Sequence, residues 1–281
     1  MGGAMAGTLR RAGFDLILWN RDRSKADAVA TATDATVAAT AAAAAGSADT
    51  VISSLADDAA LEAVYLGDGG IVSGVGEGTT VVDTSTVDPE TIRRVGAAVD
   101  DAVAGFLDAP VSGSVSTVEQ GSLTIMVGGD ESLIPGVAPV LDALAARVIP
   151  VGPRGSGAAA KLAVNALVHG LNIALSEALV LAERAGVDRK VAYEVFASGA
   201  AGAPFVQYKR AAYEDPERAA VAFSLDLVAK DLDLITGLGR RVGVPLSQAE
   251  VGLEIVHRAI GAGFGDADLS AIAVYLREAV S

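Results

Sequence analysis

The first half of the chain alternates short apolar runs with alanine-rich stretches. Apolar runs of strand length lie at Phe14–Trp19, Thr50–Leu55 and Thr79–Val82, and a stretch of helical composition follows each of them. Strands that alternate with helices in this way form right-handed crossovers in a parallel sheet. We therefore expect an α/β domain over residues 1–153.

The pattern changes after the third run. The segments Phe106–Gly113 and Gly121–Gly129 predict two strands of a mixed or antiparallel extension, joined by a loop rich in Ser, Thr and Gln. A last short strand is expected at Val148–Val151. From Gly152 to Glu183 the sequence predicts one long helix, because Ala, Leu and Glu dominate and proline occurs only near its start. This helix is apolar on nearly every face, which predicts burial between two layers.

The second half shows helical patterns with no strand pattern between them. We expect an all-α domain over residues 154–281, linked to the first domain by the long helix.

The chain begins with a helical stretch, Met1–Ala12, whose start is rich in glycine. In parallel α/β sheets a strand precedes such a helix, and the glycine-rich N-terminus of the helix binds phosphate. Here we expect that first strand to be missing, with Gly2 and Gly3 as the remainder of a glycine fingerprint. The alternative is that the Gly-Gly pair is a loop or a scar of expression cloning.

Composition narrows the class of protein. With 281 residues, 51% of them hydrophobic, the chain can form two domains with sizeable cores. No run of about 18 residues is uniformly apolar, so a soluble, cytoplasmic protein is expected. The lack of cysteine and the presence of only two histidines exclude disulfides and argue against a metal centre. A net charge of −14 argues against nucleic acid and anionic membranes as partners.

Two polar residues stand out in the first turns of the long helix. Lys161 and Asn165 are four residues apart and therefore lie on one face. A buried lysine is unfavourable unless it has a partner or a chemical role. The alternative is a lysine whose ammonium group reaches solvent at the helix end.

A second candidate site follows the first apolar run. Where NAD-binding proteins place an Asp or Glu against the ribose hydroxyls, this chain has Asn20 and Arg21, with Lys25 close behind. Basic residues at this point suit a 2′-phosphate and predict NADP rather than NAD as the cofactor. The alternative is a solvated charged turn, and Asp22 within it is unfavourable for a phosphate.

A set of sequence blocks ties these features together. The blocks are MGGAMAGTL, WNRDRSKA, VDTSTVDPET, FLDAPVSGSVSTVEQGSLTIMVGGDE, GSGAAAKLAVN, FSLDLVAKDLDL and GFGDADLSAIAVYL. With them the sequence resembles the β-hydroxyacid dehydrogenase family, which includes 3-hydroxyisobutyrate dehydrogenase and the tartronate semialdehyde and glyoxylate/succinic semialdehyde reductases. The resemblance covers essentially the whole chain.

The resemblance implies a Rossmann-type N-terminal domain and hydride transfer between NAD(P) and a small β-hydroxyacid or semialdehyde. Lys161 matches the family's catalytic lysine, which exchanges a proton with the substrate hydroxyl. The positions that match substrate-binding residues are Thr86, Ser112, Gly113, Asn165, Lys230 and Asp231. The positions that match cofactor-binding residues are Met1, Gly2, Asn20, Arg21, Lys25, Leu55, Thr86 and Lys230.

Some of these positions also have an ordinary structural interpretation. The Lys230–Asp231 pair is typical of a structural ion pair, and His169 on an apolar face is typical of a core residue. The family's usual Ser-Gly-Gly is Ser112-Gly113-Ser114 here, which leaves the substrate open.

Two other functions stay open at this point. Imine reductases resemble this family but usually lack the lysine, so Lys161 argues against that activity. A nucleotide-binding paralogue that has lost its activity is the second alternative. A homodimer or homotetramer is typical of the family and is expected here.

Overall fold

The structure, a computed structural model, describes residues 1–218 and 220–279. It divides into two compact units, Met1–Lys161 and the residues from Leu162 onward. The division falls inside the longest helix. The domain boundary predicted between residues 153 and 154 stays a prediction, and the last two residues of the predicted second domain lie outside the described residues.

The first unit alternates strands and helices. Its helices are α1 (Gly2–Arg11), α2 (Arg23–Thr33), α3 (Ala41–Ala45), α4 (Asp58–Leu66), α5 (Pro89–Asp101), α6 (Val115–Glu119) and α7 (Ile134–Leu144), and α8 (Ser156–Arg184) starts here. Its strands are β1 (Ile17–Leu18), β2 (Thr36–Val37), β3 (Thr50–Ser53), β4 (Thr80–Asp83), β5 (Gly105–Asp108), β6 (Val111–Ser112), β7 (Leu123–Gly129) and β8 (Ala145–Gly152).

The main sheet is mixed, as the sequence predicts. Strands β3, β4 and β5 are parallel neighbours, β7 runs antiparallel to β5 and β6, and β8 pairs parallel with β7. Strands β1 and β2 form a separate parallel pair. Among the described residues no strand precedes α1, and β1 and β3 each have a strand partner on one edge only. The predicted strand Phe14–Trp19 is correspondingly reduced to Ile17–Leu18, because a strand with one short partner forms few ladder hydrogen bonds.

The segment between β6 and β7 differs from the prediction. It is the short helix α6 and not a loop, because the Ser114 hydroxyl and Thr117 form a reciprocal capping box at its start. This helix directly follows the Ser112-Gly113 pair.

Helices cover the main sheet through two apolar clusters. Met5 and Leu9 of α1 pack in one cluster with Leu107, while Tyr65 and Ile92 pack in the other with Phe106. Phe106 and Leu107 are consecutive residues of β5, so their side chains point to opposite faces. The sheet is therefore covered on both faces, as in other α/β domains.

The second unit is helical, which confirms the predicted all-α domain. After α8 come α9 (Arg189–Ser198), α10 (Pro204–Glu214), α11 (Leu225–Val242), α12 (Ser247–Ala259) and α13 (Ile272–Ala279). A π-helical turn, Ile260–Phe264, follows α12.

Helix α8 is less buried than its composition predicts. Leu162, Leu175 and Leu179 lie in the core of the second unit, but Leu167 and Leu181 are 77% and 72% exposed. The expectation of burial on nearly every face is therefore wrong for this stripe. Among the described residues α8 is also the one helix long and apolar enough to cross a membrane by length and composition, a test that core helices pass as well.

A buried ion pair ties α10 to the segment that precedes α13. Lys209 Nζ lies 2.8 Å from both carboxylate oxygens of Asp268, and both side chains are buried. Asp268 also accepts hydrogen bonds from the Ala222 amide and from Ser270. Burial raises the pKa of the Asp268 carboxyl, but Lys209 and these donors outweigh it and leave the pKa below its usual range.

We expect Asp268→Ala to lower the free energy of unfolding by about 3–5 kcal/mol, because the Lys209 ammonium would stay buried without its partner. Urea denaturation measures this change. The exposed pair Arg218–Asp215 provides the control, and Asp215→Ala should have a much smaller effect. Because the folded-state pKa of Asp268 is lowered, its contribution is present above about pH 4 and is lost as the pH falls further. Equal stability of the two variants would contradict the prediction.

Candidate active site

The buried carboxylate of Asp108 holds the start of α8. Asp108 is the last residue of β5 and is fully buried. Its Oδ1 accepts a hydrogen bond from the Gly155 amide and its Oδ2 accepts one from the Ala158 amide, both at 2.9 Å. The first amides of a helix have no partner within the helix, so this carboxylate caps α8 from another element. Burial raises the pKa of Asp108, and the backbone amides offset part of that effect.

The backbone of α8 also approaches the sheet closely. A Cβ atom on Gly157 would lie 2.5 Å from the Asp108 carbonyl oxygen and 2.7 Å from that of Met126. Only glycine fits there without a shift of the backbone. Lys161 lies one turn after Ala158 and is half-buried. The position of its backbone is therefore set by β5 and β7.

Ser112 and Gly113 lie at the end of β6. Ser112 pairs with Thr124 of β7, and Gly113 has a φ of 144°. A Cβ atom at Gly113 would also lie 2.7 Å from the Leu123 side chain and 2.9 Å from that of Thr117. The glycine is required by backbone conformation and by space, and it leaves the edge after Ser112 free of a side chain.

The predicted cofactor residues of the first unit lie on several loops. Gly2 begins α1, and a Cβ atom there would lie 3.6 Å from the Ser54 Cβ, next to Leu55. The Leu55 amide donates a hydrogen bond to the Ser85 hydroxyl, beside the half-buried Thr86. The start of α1 and the loops after β3 and β4 are therefore neighbours.

The basic turn after β1 is exposed, and its one acidic residue, Asp22, is hydrogen-bonded within the turn. The Asp22 carboxylate accepts hydrogen bonds from the Ser24 amide and hydroxyl and caps α2. The Asn20 side chain accepts a hydrogen bond from the Asp22 amide. Arg21 and Lys25 are exposed. The turn thus presents two cations to solvent while the Asp22 carboxylate faces the N-terminus of α2.

In the second unit, the predicted residues Asn165 and Lys230 both contact the predicted residue Asp231. Its fully buried carboxylate accepts a 2.6 Å hydrogen bond from Asn165 Nδ2 and lies 2.9 Å from Lys230 Nζ. His169 Nε2 lies 3.3 Å from Oδ2 of the same carboxylate, and this nitrogen must carry a proton because a carboxylate only accepts. Burial raises the pKa of Asp231, but the hydrogen bond from His169 and the charge of Lys230 outweigh it and leave the pKa lowered.

Three buried polar residues escaped the sequence-based prediction of the site. Asp83 and Asp108 end apolar strands, and a charged last residue in a strand was a usable signal. His169 follows Asn165 by four residues and so shares its face of α8, although its polar contact to Asp231 depends on a distant helix.

Comparison with known proteins agrees with this architecture. The family model for the NAD-binding domain of 6-phosphogluconate dehydrogenase matches residues 1–152. The model for the NAD-binding region of NADP-dependent 3-hydroxyisobutyrate dehydrogenase matches residues 155–276. The chain belongs to the β-hydroxyacid dehydrogenase family. It is therefore an NAD(P)-dependent oxidoreductase of the hydroxyacid dehydrogenase type.

Individual relatives extend over nearly the whole chain. Glyoxylate/succinic semialdehyde reductases 2 and 1 of Arabidopsis thaliana are each 32% identical to it, over 100% and 97% of this chain and 78% and 93% of their own lengths. The structure of Mycobacterium tuberculosis 3-hydroxyisobutyrate dehydrogenase with L-serine superimposes with a TM-score of 0.86 at 28% identity, covering 99% of this chain and 96% of that one.

We expect Asp108→Asn to loosen the first turn of α8. The substitution keeps the shape but turns an acceptor into a donor that faces a backbone amide, leaving that amide unpaired. Hydrogen–deuterium exchange of the peptide from 154 to 162 should accelerate by about tenfold. Asp100→Asn is the control, since Asp100 binds the Arg154 side chain and no α8 amide. Unchanged exchange in Asp108→Asn would show that the cap is dispensable.

Proposed function

We propose that this β-hydroxyacid dehydrogenase interconverts a small β-hydroxyacid and its semialdehyde or oxo acid, with Lys161 as the general acid–base and NADP as the preferred cofactor. The observation that carries the proposal is the placement of Lys161. It lies on a helix whose start is held by Asp108, one turn before Asn165, whose amide is held by Asp231. A proton-transferring group needs such a fixed backbone.

The residues of the first unit fit a nicotinamide dinucleotide. The N-terminus of α1 begins at Gly2 and Gly3, and a helix N-terminus suits a phosphate group because its first amides have no partner within the helix. Gly2 adds no side chain there, and Leu55 and Thr86 lie on the adjoining loops. These residues would hold the cofactor, which supplies the hydride acceptor or donor when bound.

The chain itself handles one proton. In the oxidation direction the Lys161 amine accepts the proton of the substrate hydroxyl, and in the reduction direction the ammonium donates it to the forming alkoxide. The ammonium also polarises the carbonyl oxygen before the proton moves. Within the first unit, the Ser112 hydroxyl and the open backbone at Gly113 suit a carboxylate oxygen. Asn165 and Lys230 are assigned to the substrate on the family resemblance alone, and both side chains contact Asp231.

The exposed turn after β1 supports the preference for NADP. Arg21 and Lys25 are exposed cations of this turn, whereas Arg23 pairs with Asp27. The Asp22 carboxylate is directed to α2 and not to a ribose hydroxyl.

The exposed stripe of α8 supports a homodimer or homotetramer. Leu167 of α8 and Val251 of α12 are exposed beside a groove of about 650 Å³ within the second unit. Apolar surface of this kind is typical of subunit interfaces. We place the enzyme in the cytoplasm on its composition alone.

We expect Lys161→Ala to lower kcat by about 10²- to 10⁴-fold, because the variant loses its proton-transferring group. Steady-state assays with NADPH and either glyoxylate or succinic semialdehyde measure kcat, and fluorescence titration should show unchanged NADPH affinity. Lys161→Arg should be similarly slow, since arginine keeps the charge but does not release a proton at neutral pH. Exposed Lys190 provides a control, Lys190→Ala. Near-wild-type turnover of Lys161→Ala at saturating substrate would overturn the proposed role.

We expect Arg21→Ala to reduce the preference for NADPH over NADH by about tenfold, because a charge-assisted contact to the 2′-phosphate is lost. The ratio of kcat/KM for the two cofactors measures this preference. Arg23→Ala, which removes a residue of the same turn that is paired with Asp27, should leave the ratio nearly unchanged. An unchanged ratio in Arg21→Ala would refute the NADP assignment.

A further inference from the structure

Three buried polar residues form a row across the carboxyl ends of the parallel strands. Ser53 of β3 is in register with Asp83 of β4, and Asp83 is in register with Asp108 of β5. In-register residues of parallel strands point to the same face of a sheet. Asp108 serves α8, as described above. Asp83, which is also fully buried, has no role in the proposed mechanism.

The Asp83 carboxylate is surrounded by hydrogen-bond donors. Its Oδ1 accepts from the Ser85 amide at 3.0 Å. Its Oδ2 accepts from the hydroxyls of Ser53, Tyr65 and Ser85, with the last two at 3.2 Å. These donors come from β3, from α4 and from the loop after β4, so the carboxylate links three elements at one edge.

The contact with Ser85 has a direction. A serine hydroxyl has one proton, and an ionised carboxylate can only accept it. With its proton committed to Asp83, the Ser85 oxygen presents lone pairs to the Leu55 amide, which donates to it at 2.9 Å. The Leu55 N–H, the Ser85 hydroxyl and the Asp83 carboxylate therefore form a relay whose direction is set by an acceptor at its end.

We propose that Asp83 is a positioning residue for the nicotinamide cofactor, acting through Ser85 on the Leu55 amide and on the loop that carries Thr86. The inference rests on the proposed assignment of Leu55 and Thr86 to cofactor binding. Asp83 touches the backbone amide of Ser85, directly before Thr86, and reaches Leu55 through the Ser85 hydroxyl. One carboxylate thus orients two loops beside the start of α1.

A purely structural role does not require this charge. Burial raises the pKa of Asp83 to about 6, so the ionised form is costly at neutral pH and an apolar residue would avoid that cost. The titratable group that faces Asp83 from α4 is Tyr65, whose pKa burial raises well above its usual value. Asp108 is the in-register neighbour on β5, and its carboxylate is turned to the α8 amides.

Protonation of Asp83 should have opposite effects on folding stability and on cofactor affinity, so the pH dependence distinguishes a positioning role from a structural one. The folded-state pKa of Asp83 lies above the ordinary value of 3.8, so protonation on the way down through pH 6 favours the folded state at this group. The same protonation gives the carboxyl group a proton of its own to donate, so it no longer has to accept the proton of the Ser85 hydroxyl. Cofactor affinity should therefore fall below pH 6 although Asp83 does not destabilise the fold there.

The test is fluorescence titration of NADPH against the full chain at pH 7.5. We expect Asp83→Asn and Ser85→Ala each to weaken NADPH binding by about tenfold, because the Leu55 amide loses its oriented acceptor. Ser85→Ala removes no charge, so it provides the test if Asp83→Asn does not fold. Tyr65→Phe is the matched control: it removes a hydroxyl from the same carboxylate but leaves the relay intact, and affinity should change by no more than about twofold.

The second readout is the ratio of NADPH affinities at pH 7.5 and pH 5.5. This ratio should be larger for the wild-type chain than for Asp83→Asn. Titration of the cofactor's own phosphate affects both proteins equally and therefore does not change the comparison. Wild-type affinity in Asp83→Asn and Ser85→Ala, or an equal loss in Tyr65→Phe, would overturn the positioning role. If the wild-type chain itself does not bind NADPH, the proposed cofactor site is wrong, and the role of Asp83 with it.

Discussion

The hydrogen bonds from the first turn of α8 to the Asp108 carboxylate are the constraint on which the candidate site depends. A helix of this length has little preference of its own for any direction relative to a sheet. Two amide contacts at 2.9 Å, together with the close approach at Gly157, remove that freedom at its N-terminal end. Lys161 comes one turn later, so a rotation of the helix at the cap would also move the Lys161 backbone. The placement of Lys161 therefore depends on a strand end as well as on its own helix.

Buried carboxylates recur in this protein with different partners and different consequences. Asp108 is bound by backbone amides, Asp83 by hydroxyls and an amide, and Asp231 by an amide side chain, an imidazole and a lysine. Only the group with a neighbouring cation has a lowered pKa, while the two groups with neutral donors have raised ones. Neutral donors orient a carboxylate but compensate its desolvation incompletely. As the pH falls, the Asp83 carboxylate is therefore protonated before that of Asp231.

The turn after β1 shows how one acidic residue can be made compatible with an anionic ligand. The Asp22 carboxylate caps α2 through Ser24, which lowers its pKa and directs its charge to the helix N-terminus. Arg21 and Lys25 stay exposed beside it. The segment after Gly113 is also compact. The capped helix α6 follows this glycine directly and places the Thr117 side chain against it.

The sequence by itself determined the two-part architecture, because the period of apolar residues changes from strand-like to helix-like and stays helical beyond residue 152. The sequence blocks also indicated the family, and the block GSGAAAKLAVN made Lys161 the candidate catalytic lysine, because such blocks are local in the chain. The contacts of Asp83, Asp108 and His169 were decided only by the tertiary structure. Asp108 meets Gly155 across 47 positions and His169 meets Asp231 across 62. A residue's burial and its partners depend on such distant contacts, so an aspartate at a strand end and a histidine on an apolar face become interpretable only when their partners are in place.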